Sequence, residues 1–312
     1  MDIFNNSISH FKQLRSLELL DAIFMSNFAL LEVLGTLPRL ANLTLKVIDP
    51  PEDSSSQNEG QKYFVALESL SVTGSFFLIQ HILGFIDSPW LKSIEVYPVI
   101  NYVRNGHEPE DLFTPSMTII ASKWSQSLNN LVIGSWSTNV RVRDHRRDAH
   151  RFAISKSLML LIDLHEMQSF HLQSWRMENS DNGVRQLVMS WPKIRILRLP
   201  LNRTPISLST LGIIAENCPE LRHLQVQLDT STIPLFDTSS KSLRHKLEVL
   251  TVGDSTATPS QTMLECQIQV TQHLDSIFPY LKSIEVSPSN VTWSGIRDLV
   301  RLCQDASLRR VK

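Results

Sequence analysis

Residues 217–226, which read Asn-Cys-Pro-Glu-Leu-Arg-His-Leu-Gln-Val, carry the pattern on which the fold prediction depends. Within them Leu221, Leu224 and Val226 form the unit apolar-x-x-apolar-x-apolar. The last two apolar residues are two apart, the period of a β-strand that buries one face, and the first lies at the turn before the strand. Ten copies of this unit recur along the chain, and each predicts one short strand. They begin at Leu14, Leu40, Leu67, Leu91, Leu128, Met167, Ile194, Leu221, Leu247 and Leu281, and a cut-off eleventh copy begins at Leu308.

Helical patterns separate the predicted strands. Apolar residues recur at helical spacing after Ser75, Asp181 and Ser207, which are residue types that cap helix N-termini. Thr114-Pro115 and Thr258-Pro259 indicate further helix starts, because proline is well tolerated at the first helical position. A proline also sets the turn into several of the next strands, since it cannot continue a helix. These prolines are Pro38, Pro89, Pro192, Pro219 and Pro279.

The distances between copies indicate how the strands and helices are arranged. Seven of the ten distances between successive starts are 24 to 27 residues. One strand and one helix cannot bury their apolar faces alone, so the copies are predicted to stack as a solenoid. The copies continue in register, which predicts a polar N-terminal segment over residues 1–13 and a single solenoid domain over residues 14–312. Loop insertions are expected near residues 50–61, 98–114 and 137–152.

The strand pattern, the helical return and the spacing resemble leucine-rich repeats of the ribonuclease-inhibitor-like class over residues 14–312. Residues 217–226 further resemble the cysteine-containing repeats of F-box proteins, and the irregular spacing looks most like the repeat region of fungal F-box/leucine-rich-repeat proteins. The resemblance implies an α/β horseshoe of ten to eleven repeats, with a parallel sheet on the concave face and helices on the convex face. A regular asparagine ladder is not expected, because Asn202 holds the family's asparagine position in one copy only.

Composition and charge exclude several classes of protein. The 312 residues carry a net charge of −1, which does not indicate a nucleic-acid or membrane-surface binder. Cys218, Cys266 and Cys303 lie far apart, so neither a disulfide framework nor a cysteine zinc site is expected. The N-terminus lacks the layout of a signal peptide, and the longest apolar runs are about five residues against roughly 20 for a membrane span. We therefore expect a soluble protein of the cytoplasm or the nucleus.

Two polar segments interrupt the repeats. Residues 50–61 are acidic and rich in serine, which predicts a mobile loop that is either a modification or docking site or an unselected insertion. Residues 141–151 hold five arginines and two histidines. Arg143, Arg146 and Arg147 could bind a phosphate or an acidic partner through guanidinium contacts. The other interpretation is a solvated insertion whose two aspartates offset part of the charge.

No catalytic or metal-binding motif emerges from the sequence. A phosphate-binding glycine loop, a nucleophile elbow and a zinc-protease helix are all absent. His145 and His150, with Asp148 between them, give only a weak indication of a metal site. The three cysteines are interpreted as small core residues rather than nucleophiles. We therefore expect no enzyme activity, no catalytic residue, no metal and no cofactor.

The strand face that points away from the helices is the candidate binding surface. One residue of each strand lies on it between the two inward apolar residues, because side chains alternate along a strand. This polar column reads Glu18, Thr44, Ser71, Glu95, Val132, His171, Arg198, Gln225, Thr251 and Glu285. Arginine and tryptophan are frequent binding hot spots, so we predict a partner-binding patch of His171, Arg198, His223 and Gln225 with Trp136 and Trp175. The alternative is an ordinary polar sheet surface with packed tryptophans.

The resemblance implies a non-enzymatic protein-interaction scaffold, the substrate-recognition part of an F-box-like ubiquitin-ligase subunit. Its ligand would be a protein bound on the concave face. Residues 1–13 contain no F-box-like helix, so a Skp-type adaptor would bind only if an F-box exists outside this chain. The alternative is a free-standing leucine-rich-repeat adaptor or inhibitor without a ligase role.

Overall fold

A computed structural model describes most of the repeat pattern. The described residues are 11–20, 29–47, 63–99, 109–135, 154–173, 175, 177, 180–200, 205–234, 245–253, 263–286 and 291–310. The chain divides into two compact units, residues 1–166 with 173–175 and residues 167–172 with 176–312. The prediction of one solenoid domain over residues 14–312 stays a prediction.

The first unit alternates strands and helices. Its elements are β1 (Ser16–Leu19), α1 (Ala29–Gly35), β2 (Asn42–Lys46), β3 (Ser69–Gly74), α2 (Phe76–Phe85), β4 (Ser93–Pro98), α3 (Pro109–Trp124), β5 (Asn130–Ile133), α4 (Ser155–Met159) and a 3₁₀ turn at Leu160–Asp163. Strands β1 to β5 are parallel and pair in chain order. The sequence-predicted order of strands is confirmed in this unit.

The second unit repeats the same arrangement. Its elements are β6 (Ser169–Leu172), α5 (Ser180–Ser190), β7 (Ile196–Arg198), β8 (Pro205–Ser207), α6 (Leu208–Asn217), β9 (His223–Asp229), β10 (Val249–Val252), α7 (Met263–Ile277), β11 (Ser283–Val286) and α8 (Val291–Arg310). Strands β6, β7, β9, β10 and β11 are parallel and pair in that order, and the short strand β8 pairs with the end of β9. The described architecture is α/β with repeated parallel strands, which is compatible with a solenoid.

The repeat unit fixes the strand register. In the first unit the central leucines of β1, β2 and β3 are paired through Leu17, Leu43 and Leu70. In the second unit Leu197, Leu224 and Leu250 pair across β7, β9 and β10 in the same way. A slip of one residue would turn every apolar side chain to the other face. The repeated pattern therefore specifies both the pairing and the buried face.

The alternation of burial shows which face of each strand carries the core. Leu70 and Val72 of β3 are fully buried, whereas Ser71 between them is half-buried. The helices cover the buried side, as Leu78 and Ile82 of α2 are also fully buried. Ser75 begins α2 as predicted, because its side chain accepts a hydrogen bond from the Leu78 N–H. The sequence thus predicted both the inward residues and this helix cap.

The start of α3 corrects one prediction. The helix begins at Pro109 and contains Pro115, so the insertion predicted over residues 98–114 ends earlier and the predicted start at Thr114-Pro115 is wrong. Pro109 suits the first helical position, and Glu110 and Asp111 complement the positive end of the helix dipole. Pro109 and the two acidic residues therefore explain why the helix begins before Thr114-Pro115. Residues 50–61 and 137–152, the other two predicted insertions, lie outside the described residues.

Two further elements differ from the prediction. Leu308, expected to begin an eleventh strand, lies in helix α8. No proline or glycine occurs between residues 296 and 310, so nothing in the sequence stops the helix before this position. Strand β8 was not predicted, because three residues are too few for a periodic signal.

None of the helices in the described residues combines the length and the apolar character that a bilayer crossing demands.

Candidate functional site

The polar column of the second unit is assembled by strand register. His171 of β6 pairs with Arg198 of β7, and Arg198 pairs with Gln225 of β9. Thr251 of β10 and Glu285 of β11 follow at the same position. Adjacent strands lie about 4.8 Å apart, so each of these five residues is a close neighbour of the next one along the sheet. The structure confirms their predicted common position, while binding of a partner there stays a prediction.

His171 is held in its neutral form. Burial, assisted by the positive charge of Arg198, lowers the pKa of His171 to about 4. A neutral imidazole has one donor and one acceptor nitrogen, so at neutral pH His171 offers hydrogen bonds rather than charge. The positive charge at this end of the column therefore belongs to Arg198 alone.

Arg198 is exposed and is a cation available to a partner. In the part of the chain that the structure describes, it forms no ion pair. By contrast, the cations that precede the strands are engaged, since Arg195 lies 2.9 Å from Glu220 and Lys282 lies 2.9 Å from Glu248. Hydrogen bonds from Lys282 and Arg222 lower the pKa of the Glu248 carboxyl. Arg198 thus differs from these neighbours, because none of the described carboxylates forms an ion pair with it.

The other polar groups of this patch are partly satisfied within the protein. Gln225 Nε2 donates to the Leu199 carbonyl oxygen at 3.2 Å, which leaves its own carbonyl oxygen for other contacts. Thr251 Oγ1 donates to Glu285 Oε2 at 2.8 Å. His223 lies two residues before Gln225 and therefore on the same strand face, half-buried. The structure brings His171, Arg198, His223 and Gln225 together on three successive strands.

Trp175 belongs to the core of the first unit and not to a binding surface. It is 0% exposed, and its indole Nε1 donates to the Gly134 carbonyl oxygen at 2.6 Å. The indole stacks on Phe113 with ring centroids 5.8 Å apart and meets the edge of Phe76 at 6.3 Å. A buried aromatic side chain cannot contact a partner, so the prediction that Trp175 belongs to the partner-binding patch is wrong. Trp136, Arg143, Arg146 and Arg147, the remaining predicted members, lie outside the described residues.

The column of the first unit has a different character. Glu18, Thr44, Ser71, Glu95 and Val132 share its register position. Around Glu95, the Ser71 hydroxyl lies 3.4 Å and the Tyr97 hydroxyl 3.3 Å from Oε2. This column is acidic, whereas the second unit presents Arg198.

Tyr97 lies beside Glu95 in this column, and the predicted partner-binding patch did not include it. Burial and the charge and hydrogen bond of Glu95 raise the pKa of Tyr97 to about 12. Its ring lies against Gly134, where an added Cβ would come within 2.4 Å of a ring carbon. A glycine directly after the predicted strand of Leu131 and Ile133 was the available signal, because such glycines mark close approach of other groups.

Groups that could support catalysis or metal binding are sparse. In the described residues no cluster of three or more His, Cys, Asp and Glu side chains is placed to hold a metal ion. Cys218 is buried, which raises the pKa of its thiol to about 12, so it is a poor nucleophile. Cys266 and Cys303 are only half-buried in α7 and α8, so the interpretation as a core residue holds for Cys218 but not for these two.

Comparison with known proteins gives only distant similarity. No protein-family profile matches the chain, and no curated protein matches it. Among solved structures it is similar to a chain of the Rad7 and Elc1 complex in yeast, with 14% identity over 73% of both chains and a TM-score of 0.31. It is also similar to D-psicose 3-epimerase with D-tagatose from Clostridium cellulolyticum H10, with 11% identity, 75% and 96% coverage and a TM-score of 0.22. TM-scores this low do not establish a shared fold, so neither similarity supports a functional conclusion.

Proposed function

We propose that this chain is a non-enzymatic leucine-rich-repeat scaffold that recognises a protein partner through the concave face of its sheet. The observation that carries the proposal is the register of His171, Arg198 and Gln225 on three neighbouring strands. In this register an exposed guanidinium, which has no ion pair with any described residue, lies among neutral hydrogen-bonding groups. Arginine at such a position is frequent among binding hot spots, since its planar group forms paired hydrogen bonds with carboxylates.

The chemistry of the patch favours an acidic or carbonyl-rich segment of the partner. Arg198 supplies charge, and the imidazole of His171, which burial keeps neutral, lies beside it. The acidic column of the first unit, with Glu18 and Glu95, favours basic groups instead.

The more specific proposal is a substrate-recognition role in an F-box-like ubiquitin ligase. It is supported by the resemblance of residues 217–226 to F-box-protein repeats and by the position of Cys218 in the core. The Cys218 thiol lies 3.6 Å from the Val188 carbonyl oxygen of α5, so it packs one repeat against its neighbour. A Skp-type adaptor would join the complex only through an F-box outside this chain. A free-standing adaptor or inhibitor with no ligase role is the second candidate.

Charge reversal within the patch tests the binding proposal. We expect Arg198→Glu to weaken binding of a purified partner by tenfold or more, the scale of a hot-spot side chain. His171→Glu should act in the same direction. Lys246→Glu is the matched control, because Lys246 is exposed in the segment before β10 and outside the column. Equal binding by the Arg198 variant and the control would refute the proposed site.

The ligase role needs a separate experiment. The full-length protein would be purified from cells under mild conditions and tested for a co-purifying Skp-type adaptor. Recovery of the adaptor, with loss of the partner but not of the adaptor in Arg198→Glu, supports the ligase role. Recovery of the partner without any adaptor supports the free-standing scaffold.

A further inference from the structure

A groove lies beside the last strand of the second unit, away from the polar column. It is a cavity of about 290 Å³ between β11 and helix α8. Leu281, Ile284 and Val300 line its floor, and each is at most 5% exposed. A space of this volume is at the lower end for small-molecule pockets and suits a few side chains of a peptide.

The walls of the groove are rich in hydrogen-bond donors. Arg297, Arg301 and Gln304 are spaced four and three residues apart, so they lie on one face of α8. Lys282 lines the opposite side, and Asp298 is the single carboxylate among the lining residues. The lining therefore carries a net positive charge.

Two of these donors have no acceptor within the described part of the chain. Gln304 Nε2 is shielded from solvent and has no hydrogen-bond partner, a condition that costs free energy in most proteins. Arg301 is exposed and forms no ion pair in the same described residues, whereas Lys282 is paired with Glu248 and Arg297 with Asp298. Arg301 and Gln304 are one helical turn apart, and both would be satisfied by carboxylate or carbonyl oxygens.

Strand β11 also has an open edge within the described structure. There it pairs on one side with β10, from Ser283 to Val286, and no described strand lies on its other side. Such an edge exposes backbone N–H and C=O groups that can pair with an added strand. The groove therefore combines a strand template with donors that select negative charge.

We propose that this groove binds an extended acidic segment of another protein, which pairs with the edge of β11 that no described strand covers and places carboxylates beside Arg301 and Gln304. The aliphatic stems of glutamate side chains lie on the apolar floor, while their carboxylates reach the donors of α8. The site shares strand β11 with the column residue Glu285, and it does not depend on the function proposed above.

The probe is the fluorescently labelled peptide acetyl-Glu-Val-Glu-Val-Glu-Val-amide, titrated with the full chain by fluorescence polarisation. We expect saturable binding that Arg301→Gln weakens about tenfold, the value of a charge-assisted hydrogen bond. Gln304→Leu should weaken it about threefold, since one neutral hydrogen bond is lost. Arg195→Gln, which removes an arginine outside the groove and outside the polar column, should leave the affinity unchanged.

Three related probes make the proposal refutable. The Lys-Val peptide should not bind, and equal binding would refute charge selection. The Glu-Val peptide methylated on every backbone nitrogen, which has no N–H group for strand pairing, should not bind, and equal binding would refute strand addition. A thymidine hexanucleotide that bound more tightly than the Glu-Val peptide, and lost affinity in Arg301→Gln, would overturn the peptide proposal in favour of nucleic acid.

Discussion

His171 and Arg198 occupy paired positions on adjacent strands, and the histidine stays neutral beside the arginine. Burial, together with the Arg198 charge, lowers the pKa of His171 to about 4. The pair therefore presents one positive charge and one neutral hydrogen-bonding ring to the same surface. The sequence predicts that these two residues share a position on neighbouring strands. It does not predict the effect of burial and of Arg198 on the pKa of His171.

The first prediction concerns acid sensitivity. A histidine in the unfolded chain has a pKa near 6.5, whereas the pKa of His171 in the folded protein is about 4. Between these two pH values the unfolded chain therefore binds one more proton than the folded protein. Stability should fall across this window by on the order of 1–2 kcal/mol from this residue, allowing for its partial exposure. Urea unfolding of the wild type and of His171→Gln between pH 7 and pH 4.5 measures the effect.

The effect of His171 is the difference between the wild type and His171→Gln in how the free energy of unfolding changes with pH. Burial also lowers the pKa of His81, His245 and His273, so the variant keeps part of the acid sensitivity. Identical slopes for wild type and His171→Gln would show that His171 is not held neutral. Arg198→Gln should raise the pKa of His171 in an NMR titration, because one of its two causes is removed.

The second prediction concerns Lys123 of α3, which caps the C-terminal end of α2. Its Nζ donates to the carbonyl oxygens of Gly84 at 2.6 Å and Ile86 at 2.9 Å. Lys123→Met would leave these carbonyls without their donor and remove a cation from the negative end of a helix. We expect a loss of about 1–2 kcal/mol in the free energy of unfolding.

Lys92 provides the matched control for this variant. Its Nζ pairs with Glu68 at 3.1 Å, and both side chains are more than half exposed. Exposed pairs contribute about 0–1 kcal/mol, so Lys92→Met should cost less than Lys123→Met. Equal losses in chemical denaturation would mean that the contacts of Lys123 with α2 add nothing.

The third prediction concerns His245, a buried link between neighbouring repeats. Its Nδ1 accepts the Leu247 N–H at 3.1 Å, so the ring proton lies on Nε2, 2.7 Å from the Cys218 carbonyl oxygen. His245→Phe keeps the ring volume against Phe278 but leaves both backbone groups unpaired, at a cost of about 2–3 kcal/mol. His245→Gln can keep the bond to Cys218 and should lose less. A phenylalanine variant as stable as the wild type would contradict this role.

The fourth prediction concerns Gly134 and Tyr97. A methyl group at Gly134 would overlap the Tyr97 ring at 2.4 Å, so Gly134→Ala should displace the ring and separate its hydroxyl from Glu95. The pKa of Tyr97 should then fall from about 12 toward 10, the ordinary tyrosine value. The pKa of Tyr97 is measured by tyrosinate absorbance at high pH. Subtracting the titration of the matching Tyr97→Phe variant, with and without Gly134→Ala, isolates the contribution of Tyr97. An unchanged tyrosine titration would contradict the contact.

Strand positions were predictable because their signal is local and repeated. The central residues Leu43, Leu70 and Ile94 each lie in one copy of the pattern, and pairing of like copies follows from stacking. The polar column follows from the same register, because alternation along a strand fixes which residues share a face.

Contacts between distant residues left no comparable signal. Glu110 of α3 accepts hydrogen bonds from the N–H groups of Lys156 and Ser157 at the start of α4, 46 and 47 residues later. Lys123 contacts carbonyls of α2 37 to 40 residues before it. Trp175 resembled a surface anchor in the sequence, because its burial depends on Phe76 and Phe113 from earlier repeats. Such pairings depend on how repeats pack, which a local pattern does not encode.

Site-specific photocrosslinking from the polar column tests whether a partner binds on this face. A photoreactive phenylalanine at Gln225 would report on the column, and one at Gln269 on exposed α7 would serve as the surface control. We predict a protein partner that crosslinks from position 225 and not from position 269, and that is lost in Arg198→Glu but retained in Lys246→Glu. Crosslinking of the same partner from both positions, or its retention in Arg198→Glu, would contradict recognition through this face.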